Sequence, residues 1–186
     1  MNNHRKYATL LLVSALVMNA CKDDDEVIPP GPVNEEELIT AVQLFLTPTG
    51  GGDTAEFSFT DPDGSGGVGP TYDWDTLQSG TTFIGWVKVY NGTTDITPEV
   101  INEGTAHQFF YDVISGGLQW TGYSDVDSNG DPIGVATTWT AQSTSGELGI
   151  KLIHQPDKGA AGVAAGDITN AGGETDVSVG IPYVID

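Results

Sequence analysis

The chain has 186 residues, and its 26 Asp and Glu against 6 Lys and Arg give a formal net charge of −20. This length corresponds to one modest domain, and an apolar content of 38% is enough for a hydrophobic core, which argues against wholesale disorder. A surface this negative repels phosphate backbones and anionic lipid headgroups. The composition therefore predicts no nucleic-acid binding and no electrostatic docking to membranes.

Residues 1–20 have the features of a secretory signal peptide. Arg5 and Lys6 form a positive region, residues 8–18 are apolar, and the small Ala20 comes last. The apolar stretch is too short to span a bilayer, which takes about 20 residues.

The single cysteine, Cys21, follows this segment directly. Residues 18–21 (Met-Asn-Ala-Cys) resemble the lipobox at which bacterial lipoproteins are cleaved and acylated. The alternative is an ordinary signal peptide followed by an incidental cysteine. With one cysteine no disulfide can form within the chain. We therefore expect Cys21 to carry the lipid that attaches the protein to a membrane.

An acidic run and a Pro-rich spacer follow Cys21. The run resembles the export signal that directs Bacteroidota lipoproteins to the cell surface, and the alternative is a solvated tether on the periplasmic face of the outer membrane. Residues 27–36 contain Pro-Pro-Gly-Pro and predict an extended, semi-rigid spacer. We expect a signal peptide over 1–20, a tether over 21–36 and a folded domain over 37–186. The acidic run consists of Lys22, Asp23, Asp24, Asp25 and Glu26.

The pattern from residue 37 onward is typical of an all-β sandwich of the immunoglobulin-like kind, with about seven to nine antiparallel strands. Short segments rich in Val, Ile, Thr and aromatic residues alternate with Gly, Asp, Ser and Pro clusters. One short helix is predicted over 98–104, with Thr97 as its cap. The Gly-rich residues 48–53 predict a hairpin between the first two strands. We expect strands over residues 38–47, 54–60, 81–91, 107–114, 118–123, 134–141, 147–154 and 175–185.

Strict alternation predicts which side chains face the core. Leu148, Ile150, Leu152 and His154 share one face of their strand, as Phe57 and Phe59 do on theirs. The tryptophans are spread over four segments, which favours core packing over an exposed platform for stacking on sugars. They are Trp74, Trp86, Trp120 and Trp139.

Several segments resemble a group of small Bacteroidota lipoproteins labelled "type 1 periplasmic binding fold superfamily protein". They are Asn-Glu-Glu-Glu-Leu-Ile-Thr at 34–40, His-Gln-Phe-Phe-Tyr at 107–111, Asp-Ser-Asn-Gly at 127–130, His-Gln-Pro-Asp at 154–157 and residues 167–176. The resemblance covers nearly the whole domain and implies a companion of a TonB-dependent outer-membrane receptor, without assigning site residues. The label implies two βαβ lobes, whereas a chain without amphipathic helices favours the sandwich.

Two Asp-rich loops have the spacing of the first half of a calcium-binding loop. Asp125, Asp127 and Asn129 stand at loop positions 1, 3 and 5, followed by a glycine and Asp131. Neither loop has the Glu of an EF-hand at position 12, so another carboxylate would have to complete a calcium site. The alternative is a pair of Asp-Gly hairpin turns. The second loop has Asp61, Asp63 and Ser65 at the same positions.

Outside the signal peptide the chain has two histidines, His107 at the start of one predicted strand and His154 at the end of another. If these strands are antiparallel neighbours, both imidazoles lie at one edge of the sandwich. They would then form half of a transition-metal site, completed by a carboxylate such as Asp112 or Asp157 and a water. The alternative is a pair of hydrogen-bonded histidines at strand ends.

The sequence carries no pattern that predicts catalysis. It has no Gly-x-Ser-x-Gly motif and no phosphate-binding glycine loop before a helix. We therefore expect a non-catalytic, lipid-anchored surface domain that serves as an accessory or ligand-capturing partner of an outer-membrane uptake receptor. The alternative is a structural or adhesive calcium-binding surface protein, and the third hypothesis is a hydrolase.

Overall fold

The structure is a computed structural model that describes residues 38–64 and 67–186. The predicted signal peptide, the predicted lipidation site Cys21, the acidic run, the spacer and Ser65 lie outside the described residues. The described residues fall within a single compact unit.

Two β-sheets make up the described part of the chain. In chain order the strands are β1 (Ala41–Pro48), β2 (Ala55–Thr60), β3 (Thr71–Trp74), β4 (Thr76–Leu77), β5 (Thr82–Asn91), β6 (Thr94–Asp95), β7 (His107–Ser115), β8 (Leu118–Tyr123), β9 (Ala136–Ala141), β10 (Gly146–His154) and β11 (Glu174–Ile185). The first sheet has the order β3-β2-β1-β5-β9-β8, with β6 paired to β5, and the second has the order β4-β11-β10-β7. All pairs are antiparallel except β4 and β11, which are parallel.

This architecture confirms the predicted all-β sandwich and differs from the two-lobed α/β fold that the label of the resembling lipoproteins implies. All eight predicted strands are present, and β1 and β2 form the predicted hairpin. Three further short strands, β3, β4 and β6, were not predicted. β4 and β6 have two residues each and all four residues of β3 are exposed, so none of them has an alternating apolar pattern.

The helical elements are α1 (Thr97–Asn102) and three 3-10 turns at Gly104–Ala106, Val163–Ala165 and Ile168–Asn170. The short helix is present as predicted, but Thr97 is its first residue and not its cap. The Thr97 hydroxyl instead accepts a hydrogen bond from the Val89 backbone N–H in the interior of the protein, at 3.0 Å. No helix among the described residues is long and apolar enough to cross a membrane.

The inward faces of both sheets share one core. Leu148, Ile150 and Leu152 of β10 are buried, as their alternation predicts, and Trp139 of β9 is fully buried. The prediction for the other tryptophans was wrong in part. Trp120 packs partly buried against the core, whereas Trp74 and Trp86 are 43% and 42% exposed. Trp86 projects from the outer face of β5, where alternation places it opposite to its buried neighbours.

A second, smaller apolar cluster lies under the loop that joins β10 to β11. Phe110 and Ile153, on the outer face of the second sheet, pack against Val163 and Ala171 of this loop. The loop therefore covers one end of that face, next to the point where β7 begins and β10 ends.

Gly85 provides a test of this packing, because it lies in the middle of β5 beneath Trp139. A Cβ atom at this position would lie 2.5 Å from Trp139 Nε1 and 2.5 Å from Thr137 Oγ1. Those two atoms are hydrogen-bonded at 2.7 Å in the buried interior, so they cannot separate freely. We expect Gly85→Ala to lower the free energy of unfolding by about 1–3 kcal/mol, measured by urea denaturation.

The matched control is Gly149→Ala, in the middle of β10. There the nearest atom to an added Cβ is 3.4 Å away, which is ordinary contact. Equal losses of stability in the two variants would contradict the packing around Trp139.

Candidate functional site

The two histidines meet at one end of the second sheet. β7 begins at His107 and β10 ends at His154, and the two residues are direct cross-strand partners. Their rings stack with centroids 4.9 Å apart and planes at 16°. Both face the interior, with exposures of 0% and 3%. The predicted meeting of the two imidazoles at one edge of the sandwich is therefore confirmed.

The carboxylate beside this pair is Asp176, which the sequence analysis did not single out. Asp176 Oδ2 lies 3.7 Å from His107 Nε2, and Oδ1 lies 3.9 Å from His154 Nδ1. The Asp176 side chain is fully buried. The carboxylates named as candidates, Asp112 and Asp157, are exposed and are not part of this group. The prediction of which carboxylate accompanies the histidines was therefore wrong.

A β-bulge explains why Asp176 faces inward. Strict alternation along β11 would put Asp176 on the outer face with the exposed Ser178. Between β10 and β11 the register shifts, since Leu152 pairs with Val177 and Ile153 pairs with Thr175. Asp176 is thus the extra residue of the bulge, and bulges characteristically re-aim a side chain.

Backbone contacts on either side hold the imidazoles in place. His107 Nδ1 lies 3.2 Å from the Glu103 carbonyl oxygen, and because a carbonyl only accepts, this nitrogen donates. His107 Nε2 is then the nitrogen that faces Asp176. After His154 the chain turns sharply at Gln155, whose φ of 52° lies in the left-handed region, and the Gln155 N–H donates to Ala106. Such backbone strain accumulates at functional sites.

A buried lysine occupies the centre of the first Asp-rich loop. Lys158 Nζ donates to Asp127 Oδ2 at 2.9 Å, to the Pro132 carbonyl at 2.8 Å and to the Gly104 carbonyl. The Asp127 and Lys158 side chains are 1% and 5% exposed. A calcium ion at Asp127 would therefore have to displace the ammonium group, and calcium binding at this loop stays a prediction with that added requirement.

The remaining carboxylate oxygen of Asp127 and both carboxylate oxygens of Asp125 bind backbone N–H groups. Asp127 Oδ1 accepts from Asn129 and Asp131, and the two oxygens of Asp125 accept from Gly134 and Val135. Burial raises the pKa of Asp127, but the hydrogen bonds from Lys158 and from these two N–H groups outweigh it and hold the pKa below the usual Asp range. The predicted turn role of the loop is thus present in the structure.

The second Asp-rich loop is only partly described, since Ser65 lies outside the described residues. Asp63 Oδ2 accepts a hydrogen bond from the Val68 N–H at 2.9 Å. Asp61 Oδ1 is buried and has no hydrogen-bond partner within the described residues. The calcium hypothesis for this loop stays a prediction.

The outer face of the second sheet carries a cleft of about 500 Å³. Its lining includes Gly149 of β10 and Gly180 of β11, which lie opposite each other, and the Glu147 side chain reaches over Gly180. The lining residues that carry charge are Asp112, Glu147, Lys151 and Asp167. Hydrogen bonds from Thr169 hold the pKa of Asp167 below the usual range, so this carboxylate stays ionised at the rim.

Comparison of the chain with models of known protein families, with curated proteins and with solved structures found no match. The interpretation of the site therefore depends on the residues and their geometry.

The buried pair of Lys158 and Asp127 gives a prediction for stability. Lys158→Met leaves the Asp127 carboxylate buried without its counter-charge, so we expect a loss of about 3–5 kcal/mol at neutral pH. Asp127→Asn likewise leaves the Lys158 ammonium group buried without its counter-charge. The variant Asp127→Asn/Lys158→Met should lose less than the sum of the two single variants, because the partners interact directly. Urea denaturation of the four proteins measures this coupling.

The pH dependence of the same pair has a defined sign. Because folding lowers the pKa of Asp127, its contribution is complete above the ordinary Asp range of about pH 4 and is lost as the pH falls through the lowered value. The difference in unfolding free energy between wild type and Asp127→Asn should therefore become smaller as the pH is lowered through this range. Asp131→Asn, in the same loop, is the control. An Asp127→Asn difference that stays constant down to the lowest pH would contradict this account.

Proposed function

We propose that the chain is a non-catalytic, lipid-anchored β-sandwich domain of the outer-membrane surface that captures a ligand as an accessory of an uptake receptor. The cleft over Gly149 and Gly180 carries this proposal, because its volume lies in the range of small-molecule sites. Three carboxylates and one ammonium group line it, which favours a cationic or hydroxyl-rich ligand over an anion.

The accessory role also draws support from the outer face of the first sheet. Trp86 and Ile84 of β5 are 42% and 54% exposed, and the half-buried Phe45 of β1 lies directly opposite Trp86. On the other side Ile84 pairs with Thr138 of β9. Exposed aromatic and aliphatic side chains grouped on a sheet face are typical of protein contact sites. In this proposal the outer face of the second sheet binds the ligand in its cleft, and the outer face of the first sheet contacts the receptor through its apolar side chains.

The absence of catalysis is part of the proposal. The carboxylates of Asp125 and Asp127 bind backbone N–H groups or Lys158, and the cleft carboxylates stand on separate strands and loops. The Lys158 contact also favours the accessory role over a calcium-stiffened adhesive protein.

The anchor is tested at Cys21. If Cys21 carries the lipid, Cys21→Ala should leave the protein unprocessed or release it from the membrane fraction, because no other attachment is available to so acidic a surface. The measurement is membrane fractionation with immunoblotting, compared with the Cys21→Ser variant. A processed Cys21→Ala protein that still pellets with membranes would contradict the lipoprotein assignment.

Surface display is tested separately from the anchor. Protease added to whole cells should remove the wild-type domain, and replacing Asp23, Asp24, Asp25 and Glu26 with Ala should protect it. Resistance of the wild-type protein would place the domain on the periplasmic face and leave the anchor intact.

The contact surface is tested by photo-crosslinking in whole cells. A photoreactive residue at Trp86 should trap an integral outer-membrane protein of receptor size, because Trp86 lies at the centre of the exposed apolar face. The control position is Val126, which is 61% exposed but lies in the loop after β8. Crosslinks of equal yield from both positions, or none from Trp86, would contradict the assignment of this face.

A further inference from the structure

His107, His154 and Asp176 combine donor types that suit a transition-metal ion. Two imidazole nitrogens and one carboxylate oxygen face a common point, with all three donor atoms within 4.8 Å of one another. Mixed nitrogen and oxygen donors of this kind bind Zn²⁺, whereas calcium takes six to eight oxygens. The donor set therefore selects against the ion that the Asp-rich loops were predicted to bind.

The donor atoms lie somewhat farther apart than those of an occupied site. Zinc lies about 2.0–2.2 Å from nitrogen and oxygen ligands, so tetrahedral donors are about 3.4 Å apart. His107 and His154 lie 3.7 Å and 3.9 Å from different oxygens of Asp176, and one donor atom from each of the three residues lies within 4.8 Å of the other two, so the donor atoms are farther apart than in an occupied site. A bound ion would have to draw the three side chains closer together to reach ligand distance.

His107 makes a backbone hydrogen bond of the kind that supports metal ligands. Metal-binding histidines usually donate their other ring N–H to a backbone carbonyl, which fixes the ring and leaves one nitrogen for the ion. His107 does this through Nδ1 and the Glu103 carbonyl, so that Nε2 faces Asp176. The bulge at Asp176 and the left-handed Gln155 show that the backbone departs from regular strand geometry where the donors converge.

Burial decides what such an ion would do. The side chains of His107, His154 and Asp176 are at most 4% exposed, and none of them lines the cleft over Gly149 and Gly180. A catalytic zinc keeps its fourth position open to substrate, whereas the four positions of a structural zinc are closed to it. The cluster supplies three protein ligands, so an enclosed water would take the fourth position. The cluster is enclosed, and its three residues come from three adjacent strands, β7, β10 and β11.

We propose that His107, His154 and Asp176 bind one Zn²⁺ ion that clamps the ends of β7, β10 and β11. The ion would connect the start of β7 to the end of β10 and to the bulge of β11. This role is structural and independent of any ligand in the cleft.

The test uses the full-length chain purified in detergent, stripped with chelator and dialysed against Zn²⁺. We expect one zinc per chain by atomic absorption, and a rise in the melting temperature that chelator reverses, because an ion that binds only the native state stabilises it by mass action. Asp176→Asn and His154→Gln should weaken zinc binding by more than the roughly 10–100-fold that loss of an outer-layer partner costs. The matched controls Asp112→Asn and Asp157→Asn should bind like the wild type.

A second measurement uses only the wild-type protein, so that it does not depend on whether Asp176→Asn and His154→Gln fold. X-ray absorption at the zinc edge should report two imidazole nitrogens in the first shell. Wild-type protein that is folded by circular dichroism but takes up no zinc would overturn the proposal. Zinc held by oxygens alone, or retained equally by Asp176→Asn and His154→Gln, would overturn it as well, because the ion would then lie elsewhere.

Discussion

The architecture depends on one buried ammonium group. Lys158 reaches into the protein and satisfies its three donors with a carboxylate oxygen of Asp127 and the carbonyls of Gly104 and Pro132. These acceptors belong to segments far apart in the chain, so a single cation fixes the loop between β8 and β9, the 3-10 turn before β7 and the loop after β10. Burying a charge is tolerated only when it is paired and hydrogen-bonded, and here each partner meets that condition for the other.

The same clamp determines where His107 lies. Gly104 opens the 3-10 turn that leads into β7, and the preceding residue supplies the carbonyl that orients the His107 ring. Lys158 itself follows His154 by four residues, so the ammonium group restrains both chain segments that carry the imidazoles. The ion pair and the His–His–Asp cluster are therefore two polar centres at one end of the second sheet, linked through a short stretch of backbone.

Alternation along strands was sufficient to predict the eight long strands and the inward faces that carry His107 and His154, because a period of two determines both strand identity and face. It did not determine which strands pair, so the meeting of the two histidines was predicted only on the condition that β7 and β10 are neighbours. It failed where the backbone leaves that period. Asp176 faces inward only because of a bulge, and no local pattern in the sequence marks the extra residue. Lys158 is buried because three acceptors from distant segments of the chain meet around it. The spacing of residues along the sequence does not show that these segments meet. Trp86 was misplaced because tryptophan is usually buried, whereas its position in β5 points outward by alternation.

The place of β11 in the second sheet has a consequence for the order of folding. β11 lies between β4 and β10, yet it is synthesised after both of them. Until residues 174–185 have emerged, β10 lacks one neighbour, β4 lacks its only partner in this sheet, and the shared core lacks a row of apolar side chains. Contacts between segments so far apart in sequence form slowly. The second sheet therefore closes only when β11, the last strand in chain order, has taken its place between β4 and β10.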